Sequence, residues 1–304
     1  MDRRTIGIDL GGTSIYGGII NRDGNILKRA NRDTKTVEGR EGVLGLIAEV
    51  IEELIQERDV VAIGIGSPGF IDSNEGKVLQ VGGNIEGWAN TNIRGKLSKR
   101  FPHIPIYVEN DANVAALCEH WIGAAKNLSS FIMITLGTGL GGAIYTGEEG
   151  LLTGHGFQGA ELGHAILYPK GRQCNCGQQG CAEEYISGTA VENRYAELTS
   201  IRKKGKEIFL SSKDDAIASK VIDEFVENLA IYLVTLKNIF DPEGIVIGGG
   251  VINSREYWWD MMLDYYRRYS NSPEGMKILP AIYLNDAGMI GAGKAAFDRL
   301  GLGK

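Results

Sequence analysis

The stretch I-G-I-D-L-G-G-T-S-I-Y-G-G-I-I, Ile6 to Ile20, decides the fold class. Thr5 to Asp9 and Ser14 to Ile20 are apolar runs separated by Gly11-Gly12, and a third run, Asn25 to Ala30, follows the turn signal Asp23-Gly24. Short apolar runs punctuated in this way read as a β-meander opening with a glycine turn. The second half of the chain repeats the device: Phe131 to Leu136 is a strand, Gly137-Thr138-Gly139 a turn, and Gly142 to Tyr145 a returning strand. Between the two copies, Val43, Leu44, Ile47, Val50, Ile51, Leu54 and Ile55 recur at helical spacing, and Val60 to Gly66 reads as a buried strand. Ile104 to Val108 is another strand, followed by a helical rhythm from Asp111 to Trp121, so Asp111 stands at a strand-to-helix junction. A long helix is expected from Asp215 to Phe240, ended by Asp241-Pro242, then a strand at Ile245 to Ile247 and a closing helix from Met289 to Leu300. Helix and strand alternate throughout, which is the grammar of an α/β fold.

The chain has 304 residues, 43% of them hydrophobic, enough for a large core and for two lobes with a cleft between them. A formal net charge of −6 without any Lys/Arg block argues against a nucleic-acid partner. Met1 to Leu10 has no apolar stretch of signal-peptide length, and no later run approaches the roughly 18 residues of a membrane span, so no membrane partner and a cytoplasmic location are expected. Glycine, at 43 residues, is well above its usual share of about 7%, and it is gathered in clusters of the kind that let backbone approach a ligand.

Five motifs carry chemistry. D-L-G-G-T, Asp9 to Thr13, joins a carboxylate to a turn that presents backbone N–H groups, as a phosphate tail with a metal requires. An ordinary hairpin turn explains it equally well in isolation. The second copy, L-G-T-G-L-G-G from Leu136 to Gly142, tips the reading toward a pair of phosphate turns, with Gly11, Gly12, Gly137, Gly139 and Gly141 offering backbone and Thr13 and Thr138 hydroxyls. Neither is a P-loop, since the lysine is missing. Gly248-Gly249-Gly250 after an apolar strand suits an adenosine pocket, although a helix start packed closely on a strand is as good an explanation. E-N-D-A-N, Glu109 to Asn113, places Asp111 at a helix start, either as an N-cap or as a base that takes a proton from an attacking hydroxyl.

The most specific signal is E-L-G-H-x9-C-x-C-x4-C. His164, Cys174, Cys176 and Cys181 form a Cys3His set suited to tetrahedral Zn²⁺, and four protein ligands leave no open position, so the zinc is expected to be structural. Cys118, on the apolar stripe of its helix, reads as core. Glu161 and Glu183 flank the loop, where carboxylates held in place suit a sugar ring.

These residues resemble the ROK family (repressors, open reading frames and kinases) of the actin, Hsp70 and sugar-kinase superfamily, and the resemblance runs nearly end to end. It implies an α/β, two-lobed, ribonuclease H-like or actin-like fold, with residues 1–112 and 289–304 as a smaller lobe and 113–288 as a larger one. ATP and Mg²⁺ would be used, with Asp111 as base, Asp9 holding Mg²⁺ through water, and Gly248 to Gly250 beside adenosine. Sugar contacts would fall on Gly69, Asn84, Asn110, Asp111, Glu161, His164 and Glu183, so that His164 serves both zinc and sugar. A homodimer or higher homo-oligomer is implied as well. ROK repressors carry an N-terminal helix-turn-helix domain, whereas here the first phosphate strand starts within a few residues of Met1, so a kinase is expected, with glucose the preferred sugar and fructose, mannose, allose and N-acetylmannosamine as alternatives. Ala182 and Ala160 depart from the family pattern and touch sugar preference only. Two other classes fit part of the sequence. A non-catalytic sugar sensor would not need Asp9, Asp111 and the second turn together, and an actin-like nucleotide switch leaves the zinc loop unexplained.

Overall fold

The computed structural model describes residues 3–56, 59–81 and 85–303. The chain opens with β1 (Arg4–Leu10), β2 (Ser14–Ile20), β3 (Ile26–Asp33), α1 (Gly39–Leu54), β4 (Val60–Ser67), β5 (Phe70–Asp72) and β6 (Lys77–Gln80). Next come α2 (Ile93–Arg100), β7 (Ile106–Asn110), α3 (Asp111–Trp121), β8 (Ser130–Leu136), β9 (Leu140–Thr146) and β10 (Gly150–Leu151). The remainder is α4 (Glu183–Ile186), α5 (Gly188–Thr199), α6 (Gly205–Ser211), α7 (Ala216–Phe240), β11 (Gly244–Gly248), α8 (Trp259–Tyr269), β12 (Lys277–Pro280) and α9 (Ala287–Arg299).

Two sheets of five strands share one plan. The first runs β3-β2-β1-β4-β7 and the second β10-β9-β8-β11-β12. In each, a glycine-turn hairpin pairs antiparallel, and its first strand then pairs parallel with a later one: β1 with β2 and β4, β8 with β9 and β11. The repeat read from Ile6 to Ile20 and Phe131 to Tyr145 is therefore a repeat of topology. The chain divides into two compact units, Met1–Asn127 with Leu151–Gly159 and Asn285–Lys304, and Leu128–Gly150 with Ala160–Leu284.

Each unit has its own core. In the first, Ile6, Ile8, Ile15, Ile19, Ile63 and Ile65 from the sheet pack with Val43, Ile47, Val50, Ile51 and Leu54 of α1. In the second, α7 lays Val221, Phe225, Leu229, Leu233 and Leu236 against Ile132, Ile134, Ile245 and Ile247. Helix α7 is capped at its start by Asp215, which accepts from the N–H groups of Ile217 and Ala218, and stops at Asp241 in the left-handed region (φ 42°), where Pro242 prevents continuation. None of the helices among the described residues is long and apolar enough to cross a membrane.

The expected boundary at residue 112 is corrected. Helix α3 belongs with the first unit, which continues to Asn127, because α9 packs along it as well as on β1 and β4. That packing needs close backbone approach. A Cβ on Gly64 would run into the Ala292 carbonyl, and one on Gly291 into the Val114 carbonyl. The two units are nearly equal in length, so the first is not a small lobe. Helix α2 drew no expectation because only Ile93 and Leu97 of its eight residues are buried, too few for a legible period.

Candidate active site and metal centre

In the first unit, β1 ends on Asp9 and Leu10, and the chain turns through Gly11–Thr13 into β2. The Gly11 N–H donates to the Ser14 carbonyl at 2.9 Å, closing the turn. Asp9 is half-buried, and burial together with the nearby Asp111 charge pushes its carboxyl up to about 7. Its position depends on a residue the sequence reading passed over. A Cβ on Gly288, in the first turn of α9, would collide with the Asp9 carboxylate, so only glycine leaves the acid its place. The signal lies in N-D-A-G, Asn285 to Gly288, but nothing local pairs it with residue 9.

The junction of β7 and α3 resolves the two roles weighed for Asp111. The capping residue is Asn110, whose Oδ1 accepts from the N–H groups of Ala112 at 2.9 Å and Asn113 at 3.2 Å. Asp111 is the first residue of the helix, and its Oδ1 accepts only locally, from Ala112 N at 2.8 Å. The N-cap explanation of Asp111 is thus replaced by a cap one residue earlier. Water reaches Asp111, yet the surrounding protein desolvates the carboxyl and pushes it up to about 6, against the pull of the Ala112 N–H and Asn110. Beneath it, Glu109 is held by the Asn110 N–H and Asn113 Nδ2, both at 2.9 Å. Asn110 Nδ2 donates to the Gly69 carbonyl at 3.1 Å, so two expected sugar contacts lie side by side and are tied to each other. Asn84 lies outside the described residues.

In the second unit, the turn between β8 and β9 carries Gly137, Thr138 and Gly139, with Gly141 entering β9. Gly249, at φ 81°, packs its α-carbon against the backbone of Leu136, which brings the triple glycine at the end of β11 beside this turn. Glu183 is here too: its Oε2 accepts from Leu140 N at 2.7 Å. Glu161 and His164 are joined by a single 3-10 turn at Leu162–His164, with His164 N–H donating to the Glu161 carbonyl at 3.1 Å. Ala160, just before it, holds φ 62°, a left-handed conformation that costs alanine more than it would glycine.

His164, Cys174, Cys176 and Cys181 come together with their ligand atoms within 4.8 Å of one another. Cys174 Sγ is 3.7 Å from His164 Nδ1, and the Cys176 and Cys181 sulfurs are 3.6 Å apart. Sulfurs about 2.3 Å from a tetrahedral zinc stand about 3.8 Å from each other, so the spacing and the donor set both fit that ion. Gln178 Nε2 lies 3.4 Å from Cys176 Sγ and 3.5 Å from Cys181 Sγ, a donor toward two prospective thiolates, and it also donates to the His164 carbonyl at 3.1 Å. Nδ1 faces the Cys174 sulfur, which leaves the opposite nitrogen of the His164 ring directed elsewhere. Cys118 is fully buried and burial pushes its thiol up, as expected of a core residue.

Twin sheets, each with a glycine hairpin at the head of its central strands, and carboxylates at the end of β1 and the start of α3, define the actin-like, two-lobed ATPase class. Comparison with known proteins agrees. The ROK family profile matches residues 5–298. A glucokinase from Thermotoga maritima is 34% identical, over 98% of this chain and 98% of its own. A ROK hexokinase structure from Thermus thermophilus superposes with a TM-score of 0.88 at 34% identity, covering 98% of this chain and 99% of that one. A ROK family glucokinase from Streptomyces griseus, solved with glucose and AMPPNP, gives a TM-score of 0.84 at 32% identity over 97% of this chain and 99% of that one. The chain belongs to the ROK family.

Proposed function

We propose that this protein is an ATP-dependent hexose kinase that phosphorylates the primary hydroxyl of glucose, giving glucose 6-phosphate. The observation that carries the reading is the division of labour at the head of α3. Asn110 caps the helix, so the Asp111 carboxylate is spared for chemistry, accessible and poised near 6. Likeness to a glucokinase at 34% identity, and to others at 33% and 32%, supports glucose over the other hexoses. Glu161, His164 and Glu183 add acceptors suited to ring hydroxyls.

Asp111 accepts the proton as the hydroxyl oxygen forms its bond to the γ-phosphorus, and the bond from that phosphorus to the β,γ-bridging oxygen breaks to release ADP. Each glycine turn, within its own unit, presents N–H groups suited to phosphate oxygens, and Gly248 to Gly250, beside the second turn, suit an adenosine. Asp9 fits a divalent cation: two acids, one raised to about 7 by burial and by its neighbour's charge, favour a cation beside them. Mg²⁺ bound there would supply charge neutralisation at the transferring group. His164, Cys174, Cys176 and Cys181 would hold zinc as a structural ion, with no open position for a reacting group. This reading places the reaction in the cytoplasm, where ATP is supplied.

A coupled ADP-release assay over a panel of hexoses tests the reading. Glucose should give the highest kcat/KM, and absence of stimulation by any hexose removes the kinase assignment. The pH profile follows from Asp111. The base works only when ionised, so at saturating Mg²⁺ the rate is flat above neutrality and falls about tenfold per pH unit below the Asp111 pKa, which stands at about 6 without a cation and is lowered by one beside it. At limiting Mg²⁺ the midpoint should move toward 7, where Asp9 takes up its proton, and Asp9→Asn should abolish that movement.

A further inference from the structure

We propose that Glu183 is a positioning residue for the second glycine turn, so that the zinc loop and that turn order one another. The proposal rests on the reading of this turn as a nucleotide-phosphate site. Its geometry lies wholly within the second unit.

The turn is gripped at both ends by one short segment of chain. Glu183 Oε2 accepts from Leu140 N at 2.7 Å at the start of β9, and Gly188 N donates to the Gly137 carbonyl at 2.7 Å where the turn leaves β8. Within the turn, Gly137 N donates to the Gly139 carbonyl at 2.9 Å. The carboxylate sits so close beneath the turn that a Cβ on Gly139 would strike its Oε2, which explains why glycine is needed there. On its other side the same segment is joined to the metal ligands. Glu183 and Glu184 have carboxylate oxygens within 4.8 Å of Cys174 Sγ, Glu184 N donates to the Cys181 carbonyl at 3.1 Å, and Ala182, between Cys181 and Glu183, is fully buried. Glu183 therefore stands two residues from one prospective zinc ligand and one hydrogen bond from the turn. A hydrogen bond from a backbone N–H to an ionised carboxylate is about twice as strong as a neutral one, and a turn held before the ligand arrives has less conformational freedom to lose on binding it. Glu183 thus sets the nucleotide affinity, in addition to the sugar contact proposed for it.

The test is calorimetric titration of Mg²⁺-AMPPNP, without sugar, into wild type, Glu183→Ala and Glu183→Gln whose zinc content has been confirmed. Glu183→Ala should weaken nucleotide binding about tenfold or more. Glu183→Gln, whose amide oxygen still accepts from Leu140 N, should stay within about threefold of wild type. Alanine binding nucleotide as wild type does, with only sugar affinity lost, overturns the proposal. Equal weakening in both variants also overturns it, because the effect would then lie in charge and not in the accepted hydrogen bond. A wild type that binds no nucleotide overturns the phosphate reading of the turn and the proposal with it, a result distinct from the other two. A second measurement needs no variant. Amide exchange across residues 137–140 should quicken when zinc is removed by a chelator, and unchanged exchange there counts against the coupling.

Discussion

Replacing Asp111 by asparagine lowers kcat by about three orders of magnitude, within the range of roughly 10² to 10⁴ that a positioned general base supplies, or about 4 kcal/mol of transition-state stabilisation. Asparagine is the informative substitution because it keeps an oxygen for the Ala112 N–H and leaves the Asn110 cap untouched. The fold should therefore be intact. Stability should even rise slightly above pH 7: the folded chain holds the Asp111 carboxyl at about 6, above its usual 3.8, so the ionised acid costs stability that is absent below about pH 4 and grows as pH rises through 6. A neutral amide removes that cost. Activity falling while the thermal midpoint holds or climbs is the combination that marks a functional acid. Steady-state kinetics and thermal unfolding on the same preparation measure both, and an Asn variant within tenfold of wild type assigns the proton to another group.

The second large effect is at the metal loop. Cys176→Ser or Cys181→Ser should abolish zinc retention and destabilise the second unit by at least about 3 kcal/mol, a modest fraction of the 10–16 kcal/mol apparent affinity of structural zinc sites. For a unit of this size that is a fall of roughly 6–12 °C in thermal midpoint. The reason lies in what else holds residues 165–182. The segment turns through Gly177 at φ 95° and Gly180 at φ 86°, belongs to neither five-stranded sheet, and is tied to itself by two isolated pairings, Ile166 with Cys181 and Gln173 with Gln179, and by single backbone hydrogen bonds such as Leu167 N to the Gly180 carbonyl. Metal analysis beside thermal unfolding, with and without chelator, reads both effects. A serine variant that retains one zinc per chain shows that the four residues are not the ligand set. A midpoint unchanged after zinc loss shows that the ion does not stabilise the fold.

Most of the candidate site was legible because its signals are local. Asp9 to Thr13 and Leu136 to Gly142 announce their turns through glycine between apolar runs, and those turns join the paired strands β1–β2 and β8–β9. His164, Cys174, Cys176 and Cys181 lie within eighteen residues of sequence and meet in space as a set. Helices α1 and α7 show their apolar period because each buries one long face. What tertiary structure alone decided are relations between residues far apart. That Asn110 and not Asp111 caps α3, and that its amide reaches Gly69 forty-one residues away, follows from where β7 delivers the chain. The place of Asp9 depends on a missing side chain at Gly288, and Glu183 meets Leu140 across forty-three residues. The boundary at Asn127 reflects the packing of α9 on α3. The elevation of Asp9 and Asp111 is likewise a tertiary effect, since it comes from burial and, for Asp9, from the charge of an acid one hundred and two residues away. Residue type and spacing thus fixed which groups are available and which turns and helices form. Their protonation, their partners and their division of labour were set by burial and by hydrogen bonds between distant segments, which no local pattern encodes.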